Sequence, residues 1–202
     1  MGWQLRKFNI CVYISGSGSN LKSILENIDN KTLNSNVSLV ISSCKNAGGM
    51  KFSIERSIPT FYLNRKELSL CAEEFASKQL ELLKENNIDL IVLAGYLKKL
   101  SKRVIREYKG KIINIHPALL PNYGGKEMYG MNVHRAVFAN GDKISGPTVH
   151  FVDEIYDNGE TIIQRSVDIS ECKSPEEIQK TVLKVEHQVY TEAIKLLESK
   201  ID

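Results

Sequence analysis

Two polar side chains interrupt an otherwise apolar run, INIHPALLP, at residues 113–121. Asn114 and His116 lie two positions apart, so in a strand both side chains point to the same face. In a buried strand both would need hydrogen-bond partners, and neither would help apolar packing. An amide and an imidazole on one face can donate hydrogen bonds to the same developing oxyanion, and the imidazole can also move a proton near neutral pH. The pair is therefore a candidate catalytic centre.

The sequence around this pair shows no covalent nucleophile. The chain has no Gly-x-Ser-x-Gly motif, and no cysteine adjoins a histidine in sequence. This pattern favours direct attack of one substrate on another, with the protein supplying orientation and charge stabilisation. A carboxylate usually holds such an imidazole in its charged form. The segment HFVDEIYDNGE offers Asp153, Glu154 and Asp157 for this role, and spacing alone does not decide among them.

A second candidate site is the glycine loop GSGSN at residues 16–20. Glycines between a strand and a helix let a phosphate approach backbone N–H groups at the positive end of the helix. A dinucleotide fingerprint would need a third glycine where Leu21 stands, and an acid after the second strand, where the sequence SSCKN has none. The loop therefore predicts a terminal phosphate bound by Gly18, Ser19 and Asn20, with a tight turn that binds no ligand as the alternative.

Alternating strand and helix patterns must position these motifs. Apolar, β-branched runs predict strands at 8–15, 37–43, 58–63, 88–95 and 111–116, followed by a pair at 146–154 and 160–169. Repeated βαβ units predict an α/β fold, a single doubly wound, mostly parallel sheet with helices on both faces, in one domain over residues 1–202. The late strand pair leaves room for antiparallel or edge members.

Helical periodicity separates these strands. We predict helices that start near Leu21 and around residues 49–57, and further ones over 67–85, 98–110 and 131–141. The clearest signal is the last helix, with Ser174 as N-cap, Pro175 in the first turn and Glu177 completing a capping box. Ligands of such sheets bind beyond the carboxyl ends of the strands, where the glycine loop, AGYL, NIHP and the loop after HFVDE all fall. These four polar segments predict one site.

Composition limits the classes of function. Hydrophobic residues are 42% of the 202 residues, and the formal net charge of +3 is too close to balance to indicate nucleic acid binding. The sequence has no apolar run long enough to span a membrane and no secretory signal, so we expect a cytoplasmic protein without membrane contact. Four scattered cysteines without a Cys-x-x-Cys motif predict free, mostly buried thiols rather than disulfides or a metal site.

Five segments, in their order and spacing, resemble the phosphoribosylglycinamide formyltransferase family of purine synthesis: ISGSGSNL, LAGYLKKLS, NIHPALLP, HFVDEIYDNG and VEHQVY. The resemblance covers nearly the whole chain and is most specific at NIHPALLP. It implies a Rossmann-like formyltransferase fold and transfer of a formyl group from 10-formyltetrahydrofolate to the amine of glycinamide ribonucleotide, without metal. Small-molecule substrates would be the partners, and a monomer and a homodimer both fit.

The resemblance also implies roles for individual residues. Asn114 and His116 would stabilise the tetrahedral oxyanion, with His116 as the protonated donor. Asp157 would raise the pKa of the histidine and assist the proton relay, which leaves Asp153 and Glu154 outside the catalytic set. The ribonucleotide would be bound by Gly18, Ser19 and Asn20 at its phosphate and by Glu186 at its ribose. The formyl donor would contact Asn114 together with Leu97, Lys98, Lys99 and Leu100.

The chain departs from the family pattern between Tyr123 and His134, where GGKEMYGMN replaces a brief Pro-Gly loop and predicts a different lid. Two sister families share the His-Pro-x-Leu-Leu-Pro core. Methionyl-tRNA formyltransferase carries a further RNA-binding domain, and formyltetrahydrofolate hydrolase usually carries an amino-terminal regulatory domain, so we expect neither. A non-catalytic sensor of nucleotide phosphate would explain the glycine loop but not Asn114, His116 and Asp157.

Overall fold

A computed structural model describes residues 7–200, which form nine strands and six helices. The strands are β1 (Asn9–Ile14), β2 (Asn36–Ser42), β3 (Thr60–Tyr62), β4 (Leu90–Leu93), β5 (Ile112–His116), β6 (Ile144–Ser145), β7 (Thr148–Phe151), β8 (Thr161–Gln164) and β9 (Val167–Asp168). The helices are α1 (Ser19–Asp29), α2 (Met50–Ile54), α3 (Ala72–Glu85), α4 (Lys102–Glu107), α5 (Met131–Asn140) and α6 (Pro175–Glu198).

The main sheet has seven strands in the order β3-β2-β1-β4-β5-β7-β8, and β6 pairs with β9 in a separate small sheet. The first five strands of this order run parallel, whereas β7 is antiparallel to both β5 and β8. The predicted doubly wound, mostly parallel sheet is confirmed, and the late strand pair adds one reversed strand, β7, and the edge strand β8 that pairs with it. The strand order runs outward from β1 to β3 on one side and from β4 to β5 on the other. At such a switch in strand order, the connections leave the carboxyl ends of the central strands in opposite directions and a crevice opens between them.

Strand alternation builds a core on each face of the sheet. In β1, Ile10 and Val12 are buried with residues of α1 and α6, whereas Cys11 and Tyr13 are buried with residues of α3 and α4. A strand covered on both faces has no polar side left, which explains the almost continuous apolar runs in the sequence. A third cluster joins α5 to α6 through residues such as Val137.

Two helices are shorter than the periodicity predicts, because their N-caps lie later in the chain. Helix α3 begins at Ala72 rather than at residue 67, since the Cys71 thiol accepts a hydrogen bond from the Glu74 N–H and the Glu74 side chain accepts one from the Cys71 N–H. Helix α4 covers Lys102–Glu107 rather than 98–110, because the Ser101 hydroxyl accepts from the Val104 N–H. Residues 98–101 are thereby left as a loop at the sheet edge.

The long helix α6 begins as predicted at Pro175, and the Ser174 hydroxyl accepts a hydrogen bond from the Glu177 N–H. The return bond differs from a capping box, since the Glu177 carboxylate accepts from the N–H of Lys173 at 2.8 Å. Further along, the Tyr190 hydroxyl donates to the carbonyl oxygen of Leu93 and also approaches that of Ile113, so α6 is bound to the end of β4 and to the start of β5. This contact fixes the helical turn that carries Glu186.

The cysteine prediction is wrong in part. All four thiols are free, but only Cys11 is buried, whereas Cys44 and Cys71 are exposed and Cys172 is half-buried. Cys44 follows the end of β2 in a loop, and Cys71 caps a helix. Burial raises the pKa of the Cys11 thiol well above its usual value, which keeps it protonated.

Candidate active site

The register between β5 and β7 determines which side chains surround the predicted catalytic pair. Asn114 lies opposite His150, and His116 lies opposite Thr148. Directly opposed residues of an antiparallel pair project from the same face at short distance. The two polar residues predicted from β5 are therefore joined by two polar residues from β7, and the sequence analysis did not single out either of the latter.

His116 is buried, and both of its ring nitrogens face oxygen atoms of the protein. Nε2 lies 2.8 Å from the carbonyl oxygen of Tyr123, and Nδ1 lies 3.6 Å from Oδ2 of Asp157. Because a carbonyl oxygen only accepts, Nε2 carries a proton. Burial lowers the pKa of His116 below its usual value, although the Asp157 charge and the Tyr123 carbonyl act in the opposite direction. The expected effect of Asp157 is present, but burial outweighs it in the free chain.

Asp157 is the carboxylate that the structure brings to the histidines. Its Oδ2 accepts a hydrogen bond from the Gly125 N–H at 2.9 Å, and its Oδ1 lies 3.6 Å from Nε2 of His150. Burial alone would raise the pKa of Asp157, but the hydrogen bond from the Gly125 N–H and the electrostatic effect of the neighbouring imidazoles lower it. The group is therefore ionised at neutral pH, as a stabiliser of an imidazolium must be.

The two other carboxylates of this segment have different partners. Asp153 accepts a hydrogen bond from the N–H of Ile155, and Glu154 forms ion pairs with Lys102 and Arg106 of α4. These contacts shape the loop and fasten it to α4. Among the three acids that spacing left open, the geometry therefore favours Asp157.

The glycine loop lies at the other end of the site. Gly18 is the N-cap of α1 with φ of +74°, and the helix has no side-chain cap within the described chain. A Cβ on Gly18 would lie 2.4 Å from Cα of Gly49, and the Gly49 N–H donates to the Gly16 carbonyl at 3.1 Å. The contact with Gly49 explains why the loop needs glycine at position 18. Because α1 has no side-chain cap in the described chain, its first N–H groups are available to an anion.

Asn20 and Glu186 form a buried pair beside this loop. Nδ2 of Asn20 donates to Oε2 of Glu186 at 3.0 Å, while Oδ1 of Asn20 is buried without a partner in the described residues. Burial raises the pKa of Glu186, and the bond from Asn20 lowers it by less. The Asn20 side chain is thus engaged with Glu186, so its contribution to a phosphate site would come from its backbone N–H.

The predicted donor-binding segment, residues 97–100, lies at the border of the same site. Leu97 is half-exposed, and its N–H donates to the Ser15 hydroxyl at 2.8 Å, whereas Leu100 is buried in the core. Nζ of Lys99 donates to the Glu154 carbonyl at 3.2 Å. The Lys99 ammonium also lies 4.6 Å from the centre of the Tyr156 ring. Both Lys99 contacts connect the segment to the loop that carries Asp157.

One cavity of about 530 Å³ connects all of these groups. Each predicted site residue lines it: Gly18, Ser19, Asn20, Leu97, Lys98, Lys99, Leu100, Asn114, His116, Asp157 and Glu186. Residues 125–130 of the unusual loop also line it, as do His134 and His150.

His134 is a buried histidine that the sequence analysis missed. It sits in the first turns of α5, and its Nδ1 has no partner among the described residues. Burial and the neighbouring His116 lower its pKa to about 4, so it is neutral at physiological pH. The signal available in the sequence was its position in a helix that directly follows a glycine-rich loop.

Within residues 7–200, no three or more histidine, cysteine, aspartate or glutamate side chains are grouped so as to hold a metal ion. Over the same residues, no helix combines the length and the apolar character needed to cross a membrane.

Comparisons with known proteins agree with this architecture. A family model described as formyl transferase matches residues 8–194. A curated chloroplastic phosphoribosylglycinamide formyltransferase from Vigna unguiculata is 38% identical over 198 residues, which is 96% of this chain and 62% of the relative. Its counterpart from Arabidopsis thaliana is 36% identical over 94% of this chain and 65% of the relative. This chain thus spans less than two thirds of the length of these two relatives.

Solved structures are similar over more of their length. Glycinamide ribonucleotide transformylase 1 from Symbiobacterium toebii aligns with a TM-score of 0.90 at 30% identity, covering 99% of this chain and 92% of that one. The enzyme of the same name from Geobacillus kaustophilus gives 0.86 at 32% identity, covering 95% and 99%. A formyltetrahydrofolate deformylase from Pseudomonas syringae aligns at 0.84 with 23% identity over 97% of this chain and 63% of that one, a likeness of fold alone.

Proposed function

Because this chain belongs to the formyl transferase family, we propose that it transfers the formyl group of 10-formyltetrahydrofolate to the amine of glycinamide ribonucleotide in de novo purine biosynthesis. The observation that carries the proposal is that one cavity joins the Asn114, His116 and Asp157 cluster to the glycine loop and Glu186. A hydrogen-bonding centre for a tetrahedral oxyanion and an anion-binding helix terminus are the two features that this reaction requires in one site.

Asn114 and His116 stabilise the charge that develops on the formyl oxygen. Reduced folate supplies the formyl carbon, which the amine attacks directly. Nδ2 of Asn114 donates one hydrogen bond, and Nε2 of His116 donates the other. In the free chain the latter N–H is engaged by the Tyr123 carbonyl at 2.8 Å, so this bond is exchanged for the substrate oxygen. Two prepositioned donors in a buried site lower the barrier more than the same donors in water.

Asp157 stabilises the positive charge on His116. The carboxylate lies 3.6 Å from Nδ1 of His116 and is itself held by the Gly125 N–H, so its position does not depend on the substrate. Its negative charge favours the imidazolium against the cost of burial. The same carboxylate then assists the relay of a proton from the attacking amine to N10 of the folate, which leaves as an amine when its bond to the formyl carbon breaks.

The ribonucleotide occupies the glycine-loop end of the cavity. Its phosphate accepts hydrogen bonds from the backbone at Gly18, Ser19 and Asn20, where the dipole of α1 favours an anion. Glu186 accepts hydrogen bonds from the ribose hydroxyls, because the Asn20 contact uses only one of its two carboxylate oxygens.

The residues at the other end fit a flat, partly apolar donor. Leu97 and Tyr156 are large side chains that remain about half-exposed at the rim of the cavity, at 52% and 49%. A cavity of about 530 Å³ lies within the size range of small-molecule sites. We assign the donor site to Asn114 and to residues 97–100.

The proposal is tested by following loss of 10-formyltetrahydrofolate with and without glycinamide ribonucleotide. We compare wild type, His116→Ala and His187→Ala. His187 is a half-buried histidine of α6 that does not line the cavity, so its loss controls for removal of a histidine as such. We expect ribonucleotide-dependent turnover that falls by about 100-fold or more in His116→Ala and persists in His187→Ala.

Two outcomes would contradict the proposal. Loss of the formyl donor at the same rate without the ribonucleotide would indicate hydrolysis, with water as the acceptor. Binding of the ribonucleotide with no turnover would indicate a sensor of nucleotide phosphate.

The remaining expectations concern the whole protein. We propose that it works as a single domain over residues 1–202, in the cytoplasm, as a monomer or homodimer and without a metal. Turnover that is unchanged after dialysis against a chelator would support the metal-free reaction. Sedimentation of the active protein would distinguish the two oligomeric states.

A further inference from the structure

We propose that His150 is a positioning residue for the reaction proposed above, on which this inference rests. Its imidazole fixes the orientation of the Asn114 side-chain amide, so that the NH2 group and not the oxygen is the end presented for oxyanion stabilisation. No role for His150 follows from the Asn-x-His pattern or from the Asp157 contact with His116.

A backbone contact determines the tautomer of His150. Its Nδ1 lies 2.8 Å from the carbonyl oxygen of Phe151, which can only accept a hydrogen bond. The proton of the neutral ring is therefore on Nδ1. Its Nε2 consequently carries a lone pair and acts as an acceptor.

This acceptor orients the side-chain amide of Asn114. Nδ2 of Asn114 lies 3.2 Å from Nε2 of His150, within hydrogen-bond range. Since Nε2 accepts, it selects the NH2 end of the amide, because an oxygen in the same position would face a lone pair. One N–H of the amide is used in this bond. The second N–H is left for a ligand in the cavity that Asn114 lines.

Asp157 is not the main partner of His150. Oδ1 of Asp157 lies 3.6 Å from Nε2, beyond hydrogen-bond range. A second proton on Nε2 would draw the ring to the carboxylate and would turn the Asn114 oxygen toward the histidine. The shorter contact to Asn114 thus fits the neutral ring.

Burial and register make this orientation rigid. His150 is 2% exposed and stands directly opposite Asn114 in the β5–β7 pair. Its position is therefore set by the sheet and not by the substrate. An amide that is free to flip would present its oxygen to the oxyanion part of the time, which would reduce turnover without affecting binding of the ribonucleotide at the other end of the cavity.

The test uses His150→Leu, which removes the acceptor, and His150→Gln, whose side-chain oxygen can replace Nε2. We expect kcat to fall by about tenfold or more in His150→Leu, with the KM for the ribonucleotide, which binds at the glycine-loop end, nearly unchanged. His150→Gln should recover most of the loss. Val149→Ala, a fully buried change on the same strand but the opposite face, controls for general weakening of β7 and should retain kcat.

A double-mutant cycle identifies the group through which His150 acts. In the Asn114→Ala background, His150→Leu should cause no further loss of kcat. A loss that multiplies with Asn114→Ala but disappears in an Asp157→Asn background would show that His150 acts through Asp157, and would overturn the proposal. An unchanged kcat in His150→Leu would also overturn it.

A spectroscopic measurement separates this inference from the proposed activity. In free ¹⁵N-labelled protein, the side-chain amide signal that disappears in Asn114→Ala should contain one proton that exchanges slowly. That protection should be lost in His150→Leu and kept in His150→Gln. Absence of protection in the wild type would refute the positioning role even if formyl transfer is found. Protection without formyl transfer would instead indicate that the proposed function is wrong.

Discussion

The two ends of the cavity differ in how completely the polar groups that we assign to the reaction are satisfied before any substrate arrives. At the catalytic end, Asn114, His116, His150 and Asp157 contact one another or the backbone at 2.8 to 3.6 Å. At the ribonucleotide end, Oδ1 of Asn20 has no partner in the described residues, and α1 begins without a side-chain cap. Glu186 there is a buried carboxyl with a raised pKa.

This difference indicates two ways of preparing a site. Catalytic donors must be rigid, because they stabilise a charge that exists only briefly and any reorganisation would raise the barrier. A binding site for a stable anion can leave donors and acceptors open and gain affinity when the ligand fills them. Substitutions at the catalytic end should therefore lower kcat, whereas substitutions at the ribonucleotide end should raise KM and change stability.

The largest effect should come from Asp157→Asn, which removes the negative charge beside His116 but keeps the shape of the side chain. We expect kcat to fall by about 100-fold or more, because the imidazolium loses its partner and the pKa of His116 falls further. The measurement is the pH profile of kcat. Asp153→Asn is the matched control, because that carboxylate also lines the cavity but accepts from the Ile155 N–H and contacts neither His116 nor His150 in the described residues; it should stay within about threefold of wild type. Equal losses in both variants would remove the distinction between these acids.

Next in size should be the acid sensitivity that His134 brings to the catalytic end. Its pKa of about 4 lies below the 6.5 of an unfolded histidine, so the unfolded chain binds the extra proton first. The stability that the neutral ring contributes is complete above pH 6.5 and is lost as pH falls toward 4. The shift of about 2.5 units corresponds to roughly 3 kcal/mol of unfolding free energy.

The measurement is the denaturant midpoint of unfolding at several pH values between 7 and 4. His134→Leu should show a shallower pH dependence than wild type, because the titrating ring is gone. Other groups with shifted pKa values, among them His116, His187 and Asp157, contribute to the slope that remains. Identical slopes in both proteins would mean that the buried His134 ring is not held neutral.

At the ribonucleotide end, Gly18→Ala should weaken both folding and substrate binding. The new methyl would lie 2.4 Å from Cα of Gly49, in a backbone conformation with φ of +74°. We expect a loss of about 2 kcal/mol or more of unfolding free energy and a KM for the ribonucleotide raised about tenfold or more.

Gly110→Ala is the matched control for this change. Gly110 has nearly the same φ of +72°, and a Cβ added there would have no neighbouring atom within 4 Å. Gly110 does not line the cavity. It should cost only the conformational penalty of about 1 kcal/mol, with unchanged KM. A raised KM in Gly110→Ala would show that strain alone produces the effect.

The fold and half of the catalytic geometry could be predicted from local patterns. Apolar runs on both faces indicated the parallel strands, and the alternation of Asn114 and His116 indicated a functional face on β5. His150 was missed because its contact depends on the register between two strands that are distant in sequence. The alternation of Thr148 and His150 in TVHF is the same signal, and opposing the two strands would have found it.

Other features lie beyond any local pattern. The requirement for glycine at position 18 arises from Gly49, which approaches from a different loop. The start of α3 was misplaced because Cys71, an unusual N-cap, supplies the capping bond. The carboxylate near His116 was visible in the sequence, but the degree of burial that outweighs it was not.

The smallest effect, and the sharpest contrast with the catalytic end, should come from Glu186→Gln. A raised pKa in the folded chain means that the carboxyl favours folding when protonated, below its unfolded pKa of about 4.3, and loses this contribution as pH rises through the folded value. At pH 7 the carboxyl therefore costs stability, because the unfolded chain has released this proton and the folded chain disfavours its release. We expect Glu186→Gln to raise the unfolding free energy at pH 7 and to lose this advantage below about pH 4.

The same variant should bind the ribonucleotide less well, with KM raised about tenfold and kcat nearly unchanged, because a neutral amide accepts hydrogen bonds less strongly than a carboxylate. Glu192→Gln on the same helix is the control, since that exposed carboxylate pairs with Arg165 and should change neither quantity measurably. If Glu186→Gln raises stability and lowers affinity, the Glu186 carboxyl destabilises the fold but is needed to bind the ligand. A loss of kcat at unchanged KM would instead assign Glu186 to the catalytic end and would erase the contrast between the two.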